Sequence, residues 1–232
     1  MNKLKKNPVC LFGIIFPIIV LCYDCESPSE TDYTGRRGEI FDIQGNMHKT
    51  IGIGKQIWLA ENLRSTFYND STPIPHSKDA VCFGNPIYSG YCWFNNDSSN
   101  AIPYGALYHW TAVSSGKLCP KGWHIPTESD WKTLVNQLGG ITYAGGKLKV
   151  VGTDYWDLNI GATNSSKFNA VSSGIHRIGG YEEFKLKGYW WSTTETDDSN
   201  VFSISLGSYR ESVFYSNRSK SVGMSIRCIK DN

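Results

Sequence analysis

The sequence has few of the residues that would declare a catalytic chemistry. Its five histidines, His48, His76, His109, His124 and His176, are scattered, and none stands at the short spacings by which zinc gathers ligands. No Gly-x-Ser-x-Gly stretch marks a hydrolase nucleophile. Ser115-Gly116-Lys117 lacks the preceding glycine spacing of a phosphate loop. Glycosidic cleavage needs two placed carboxylates, whereas Glu182-Glu183 and Asp197-Asp198 are adjacent pairs whose side chains diverge in an extended chain. Charged residues make up 19% of the chain and nearly balance, 23 Lys and Arg against 21 Asp and Glu. No basic cluster of the kind a nucleic-acid partner needs is present. These absences lead us to expect no catalytic residue, no metal, no cofactor and no nucleic acid.

What the sequence does have begins at its N-terminus. Met1 to Lys6 is basic and Val9 to Leu21 is continuously apolar, the layout of a signal peptide and too short for a comfortable membrane span. Cys22 abuts the apolar run, which suggests a lipoprotein signal over residues 1–22 with Cys22 lipidated and Cys25 as the alternative. The expected product is exported and held by its lipid at the outer membrane or cell surface. Without Lys3, Lys5 and Lys6 the chain carries 20 basic against 21 acidic residues, so the formal charge of +2 overstates its basicity. Residues 23–38 are polar, acidic and without periodicity, and are expected to form a flexible tether ending in Gly35-Arg36-Arg37-Gly38, read as a solvated junction.

Residues 39–232 read as one domain of short strands and two short helices. Ile40–Ile43, His48–Ile53 and Gln56–Leu59 form a meander with turns at Gln44-Gly45-Asn46 and Gly54-Lys55, and with Trp58 and Leu63 as core anchors. Tyr104–Val113 reads as a short helix with Leu107 and Trp110 inward. The second helix is better marked. Thr127 and Asp130 make a capping box, Trp131, Leu134, Val135 and Leu138 form an apolar stripe, and Gly139-Gly140 closes it. Phe202, Ile204 and Leu206 alternate with Val201, Ser203 and Ser205, a half-buried strand, and Val222, Met224, Ile226 and Cys228 alternate in the last one. Strands, helices, then strands indicate α+β with an antiparallel sheet.

Cysteine placement is informative too. Beyond the N-terminal region stand Cys82, Cys92, Cys119 and Cys228, which allow three pairings. Cys82–Cys92 and Cys119–Cys228 are favoured, the second because it ties the helix entry to the final strand. Free buried thiols are the alternative reading.

Candidate contact residues come from the aromatics, 13% of the chain, and from polar loops. Ser65–Ser99 is a long loop-rich stretch of the sort that often carries function. Within it Trp93 and Phe94 adjoin Asn95, Asn96 and Asp97. Trp190 and Trp191 must point opposite ways in a strand, so at most one of them, Trp190, is expected to face a ligand, with Tyr209 beside it as a further candidate. Asp97 with its asparagines, or Glu195 with Asp197 and Asp198, offer hard oxygens for calcium, but the Glu-Pro-Asn and Gln-Pro-Asp signatures of sugar-binding calcium sites are absent.

One set of residues carries a resemblance. Cys119-Pro120-Lys121-Gly122-Trp123-His124-Ile125-Pro126-Thr127-Glu128-Ser129-Asp130-Trp131 resembles the hallmark of the Fibrobacter succinogenes major paralogous domain, a family of exported bacterial domains. Lys55–Leu63, Tyr91–Asp97, Tyr104–Trp110, Gly145–Lys149, Gly188–Ser192 and Ser225–Cys228 resemble its other segments in order. Val171–Arg177 departs from the proline-glycine-tyrosine-arginine run more usual in the family. The helix paired with a closing Ile-Arg-Cys strand is similar to formylglycine-generating enzymes and C-type-lectin-like domains. The resemblance therefore implies a C-type-lectin-like α+β fold whose two ends meet in one sheet. The expected function is a non-catalytic surface module binding a glycan or a surface protein. The alternatives are an enzyme of the formylglycine-generating type or a metal hydrolase, and a structural subunit of a surface assembly. Formylglycine-generating chemistry uses a pair of cysteines near the domain's end, where this chain has Cys228 alone.

Overall fold

The computed structural model describes residues 31–77 and 90–231. The expected signal peptide, Cys22, Cys25 and Cys82 lie outside the described residues. Of the expected tether, the described part is already engaged: Tyr33 and Gly35 donate to the carbonyls of Gly54 and Gly52. Gly52 permits this, because the Tyr33 carbonyl oxygen sits 1.9 Å from where a Cβ would be.

The first elements are the meander, with strands β1 (Arg37–Phe41), β2 (Met47–Ile53) and β3 (Gln56–Leu59). Asp42 closes the first turn by accepting the backbone N–H groups of Gln44 and Asn46. Next come β4 (Tyr91–Cys92), the short helix α1 (Ala101–Tyr104), β5 (Leu107–His109) and α2 (Trp110–Val113). The expected helix over Tyr104–Val113 is therefore half strand. Leu107 and Tyr108 pair with Cys92 and Tyr91, and tertiary pairing overrides the local helical tendency. β6 (Trp123–His124) leads into α3 (Glu128–Gln137), which has the full capping box between Thr127 and Asp130. α4 (Ala144–Leu148) forms over the sequence Ala-Gly-Gly-Lys-Leu despite its two glycines. Those glycines allow close approach, as the Glu211 and Gly161 carbonyls lie where Cβ atoms of Gly145 and Gly146 would be.

The C-terminal third is strand-rich: β7 (Ile175–Arg177), β8 (Gly180–Glu182), β9 (Lys187–Glu195), β10 (Asn200–Gly207), β11 (Val213–Ser219), β12 (Gly223–Met224) and β13 (Ile229–Lys230). Among the described residues these make three sheets, ordered β1-β2-β3-β13-β6, β11-β10-β9 and β4-β5-β12-β7-β8, and the paired strands within each run antiparallel. The described residues are thus mostly antiparallel sheet with a few short helices, an α+β or mainly β arrangement, and the first and last strands among them share one sheet. β10 is buried on both faces rather than one, with Phe202, Ile204 and Leu206 in one apolar cluster and Val201 in another. The last strand of the sequence reading is divided. Residues 225–228 cross between sheets, with Ser225 bonded to Tyr189 and Trp191 and the Ile226 and Cys228 carbonyls accepting from Leu63 and Leu59.

Two apolar cores lie on either side of this crossing. One contains Leu59, Trp191 and Cys228, the other Trp58, Trp190 and Ile229. Each of these adjacent pairs sends one side chain to each core, as successive residues of an extended chain must. Trp131 of α3 packs on Trp58 with ring centroids 4.8 Å apart and donates its Nε1–H to the Trp191 carbonyl. The bridge Cys119–Cys228 is formed, tying the entry of β6 to the crossing segment. Among the described residues no helix is long and apolar enough to cross a membrane.

Candidate functional site

The expected contact residues do not assemble into one site. Trp190 is 1% exposed and donates its indole N–H to Asn62 Oδ1, so it is a core residue with no face for a ligand. The expectation fails because β9 is covered on both sides, which buries Trp191 as well. Trp93 is buried in the first core. Asn95, Asn96 and Asp97 are exposed in a tight turn, where Asp97 Oδ1 accepts from the Ser99 N–H and the Tyr181 hydroxyl bonds Asn96. Tyr209 is 40% exposed beyond β10, with Arg210 over its ring. Of the expected Cys82–Cys92 pair, Cys82 lies outside the described residues. Cys92 is a free thiol, wholly buried beside Phe94 and Leu107, where burial pushes its pKa up to about 12. Such a thiol is neutral and unreactive.

A concavity that none of these residues lines stands along the β1–β2 hairpin. It encloses about 790 Å³ between Arg37, Glu39, Lys49 and Ile51 on one wall and Asn164, Lys167 and Asn169 on the other. Two further hollows continue it. One, past Lys49 and Asn169, adds Arg64, Tyr155 and Pro103; the other, past Arg37 and Lys167, adds Lys147 and Gln137. The far wall is a loop with three non-glycine residues in the left-handed region, Asn164, Lys167 and Asn169, at φ 48°, 60° and 55°. Asparagine tolerates that conformation and lysine does so less readily. The loop is held by Asn164 Nδ2 donating to Asn169 Oδ1, Asn169 N–H donating to Asn164 Oδ1, and Asn169 Nδ2 donating to the Ala60 carbonyl. These residues are missing from the sequence reading because left-handed asparagines in a polar loop show no periodicity. Arg37 was in view only as part of a solvated junction.

Behind the near wall lies a buried charged network. His48 is fully buried between Asp42, 3.4 Å from Nε2, and Glu61, 3.3 Å from Nδ1. Burial works against a charged imidazole, but the two carboxylates outweigh it and raise the His48 pKa. Burial likewise opposes the charge on Glu61, yet His48 and Arg64 bring its pKa down to about 2. Asp42 is held far below the usual carboxylate range by His48, Ser65 and Asn46 against the same burial. Serine, histidine and aspartate therefore meet here, but in an order that relays nothing. Ser65 bonds Asp42 rather than His48, and the imidazole has no route to solvent. A nucleophile must be hydrogen-bonded to its base.

The second deep polar cluster is equally enclosed. Arg227 sits on the Phe168 ring and donates to the Leu59 and Phe168 carbonyls and to Asn62 Oδ1, while Asn62 Nδ2 reaches the Tyr104 carbonyl and Ser173. Among the described residues no group of three or more His, Cys, Asp or Glu is placed to hold a metal ion.

Short antiparallel sheets, a central crossing strand closed by one disulfide and an open polar groove define a small β-rich domain. The chain belongs to the Fibrobacter succinogenes major domain family, whose model matches residues 51–230. No curated protein and no solved structure matches it. The far wall of the groove lies within the matched residues, while Arg37, Glu39 and Lys49 precede them.

Proposed function

We propose that the chain is an exported surface module, lipid-anchored through Cys22 or alternatively Cys25, that binds a glycan or protein ligand without catalysis. The framework we assign is C-type-lectin-like, supported by first and last strands in one sheet and by a disulfide that closes the domain. The observation that carries the reading is the groove, which offers cations, backbone and aliphatic surface and no nucleophile adjoining a base. Concavities of this size suit a ligand-sized partner. Neither buried thiol chemistry nor the Ser65–Asp42–His48 set favours an enzyme. Full-length protein screened on arrays of glycans and of envelope proteins is expected to retain at least one class. No binding to either would remove the reading. Labelled palmitate should be incorporated by the wild type and lost in Cys22→Ser; labelling that survives there and disappears in Cys25→Ser would move the anchor.

One observation favours a structural subunit as the second reading. β1 is an edge strand, with no strand on its outer side among the described residues, and such an edge is a template for pairing. Concentration-dependent assembly abolished by Glu39→Pro would support it.

A further inference from the structure

The groove has a consistent charge. From end to end it passes Lys147, then Arg37 and Lys167, then Lys49, then Arg64, against two carboxylates, Glu39 and Glu61. Glu61 is already committed to His48 and to Arg64, whose Nη1 lies 3.0 Å away. Glu39 faces Lys49 across the β1–β2 pair. Arg37, Lys49, Lys147 and Lys167 make no ion pair among the described residues, although the domain elsewhere pairs its lysines readily, as at Lys117–Asp70, Lys132–Glu128, Lys187–Glu183 and Lys220–Glu195. Three cations without an ion pair among the described residues thus line the concavity and a fourth, Lys147, the hollow that continues it, in a chain that is almost neutral as a whole.

The strained loop explains how one of them is placed. Lys167 holds a left-handed backbone while Asn164 and Asn169 lock the residues on both sides of it. Such a conformation costs energy and persists only where its surroundings enforce it. Its consequence is a fixed backbone position from which Lys167 extends on the wall opposite Arg37 and Lys49.

We propose that this groove binds an acidic polysaccharide, a sugar polymer bearing carboxylate or sulfate groups, with Arg37, Lys49 and Lys167 meeting its charges. Cations spaced along a trough fit repeated charges on a polymer better than one compact anion. Tyr155, at the Lys49 end, offers an aromatic surface to a sugar ring. This inference rests on the ligand-binding reading above and narrows it.

The test uses purified full-length protein and four probes: an oligogalacturonate, a chondroitin sulfate oligosaccharide, a neutral cello-oligosaccharide of equal length and single-stranded DNA. At least one acidic sugar should bind, and the first two probes separate carboxylate from sulfate as the recognised group. Binding should weaken as salt shortens the screening length from about 30 Å at 0.01 M to about 8 Å at 0.15 M. Each of Arg37→Gln, Lys49→Gln and Lys167→Gln should lower affinity by about 1.5- to 5-fold, the range for exposed charge pairs. The triple variant should lose about 3- to 125-fold, the product of the three, if they act independently. Glu39→Gln should tighten binding instead, an effect that a damaged fold would not produce. Unchanged tryptophan emission and unfolding midpoint in the triple variant would show that the groove alone was altered. Neutral sugars binding as well as acidic ones, or acidic sugars indifferent to the triple variant, would overturn this proposal while leaving the glycan-binding reading in place. DNA binding equal to that of the acidic sugars would overturn it in favour of an unselective polyanion surface. Failure of every probe here would overturn it too, and only a parallel failure on the glycan and envelope-protein arrays would take the broader reading with it.

Discussion

Arg227 is buried on the Phe168 ring with no carboxylate at ion-pair distance among the described residues, and its charge is spread over three oxygen acceptors from two parts of the chain. The planar fork is what allows this, since Nη1 reaches the Leu59 and Phe168 carbonyls while Nη2 reaches Asn62. Lys149 solves a similar problem with three carbonyls, those of Ile160, Gly207 and Arg210. Arg227→Lys keeps the charge but replaces a fork by a point. It should destabilise the domain by about 2–3 kcal/mol, the scale of hydrogen bonds to charged groups lost in a core. Denaturant unfolding of the two proteins would measure this, and a lysine variant of wild-type stability would show that charge without geometry suffices. Neither cation is legible in the sequence as a buried group. Arg227 stands between apolar alternating positions and Lys149 in a glycine-rich run, where the default reading of a charged side chain is a solvated one. Trp190 failed in the opposite direction: an aromatic pair in a strand fixes opposite orientations, but only the neighbouring layers decide that both sides are covered.

The helix Glu128–Gln137 was legible because all its signals are local. Cap, stripe and closing glycines lie within a few residues of one another, and each is present, including the reciprocal bonds between Thr127 and Asp130. Thr127→Ala should cost about 0.5–2 kcal/mol, read as a lowered unfolding midpoint; no change would mean that packing of Trp131 makes the cap redundant. The first hairpin was legible in its strands and hidden in its chemistry, because Asp42, His48, Glu61 and Ser65 meet only after the meander folds. Their linkage to pH has a definite sign. Glu61 is depressed from 4.5 to about 2, so its contribution to stability is present above 4.5 and lost as pH falls toward 2; Asp42 acts in the same direction. His48 is raised above 6.5, so its contribution is present below 6.5 and lost as pH rises through its folded value. Unfolding free energy should therefore decline on both sides of mildly acidic pH. His48→Gln should flatten the alkaline limb selectively, and an unchanged alkaline limb in that variant would remove His48 as its source.

At the scale of the molecule, the resemblance led to the meeting of the two chain ends and cysteine placement led to the Cys119–Cys228 bridge, whereas the division into three sheets and two cores arises from contacts far apart in sequence. Residues 225–228 are the seam: they hydrogen-bond to β9 on one side and to Leu59 and Leu63 on the other, and the disulfide fastens their end. Because the backbone bonds do not depend on the disulfide, breaking it should leave the native sheets intact. Its main effect belongs to the unfolded chain, where it closes a loop with a sequence separation of 109. A loop of that order removes enough entropy to stabilise the fold by up to about 4–5 kcal/mol. We expect Cys119→Ala/Cys228→Ala to keep its native near-ultraviolet tryptophan signal and to unfold at lower denaturant, with reductant producing the same shift in the wild type and no further shift in the variant. Buried Cys92 already carries a free thiol, so reductant breaks no bond there. Loss of the native signal in the double variant would mean instead that the bridge sets the path of the crossing strand, and that the two cores on either side of it form only after the disulfide closes.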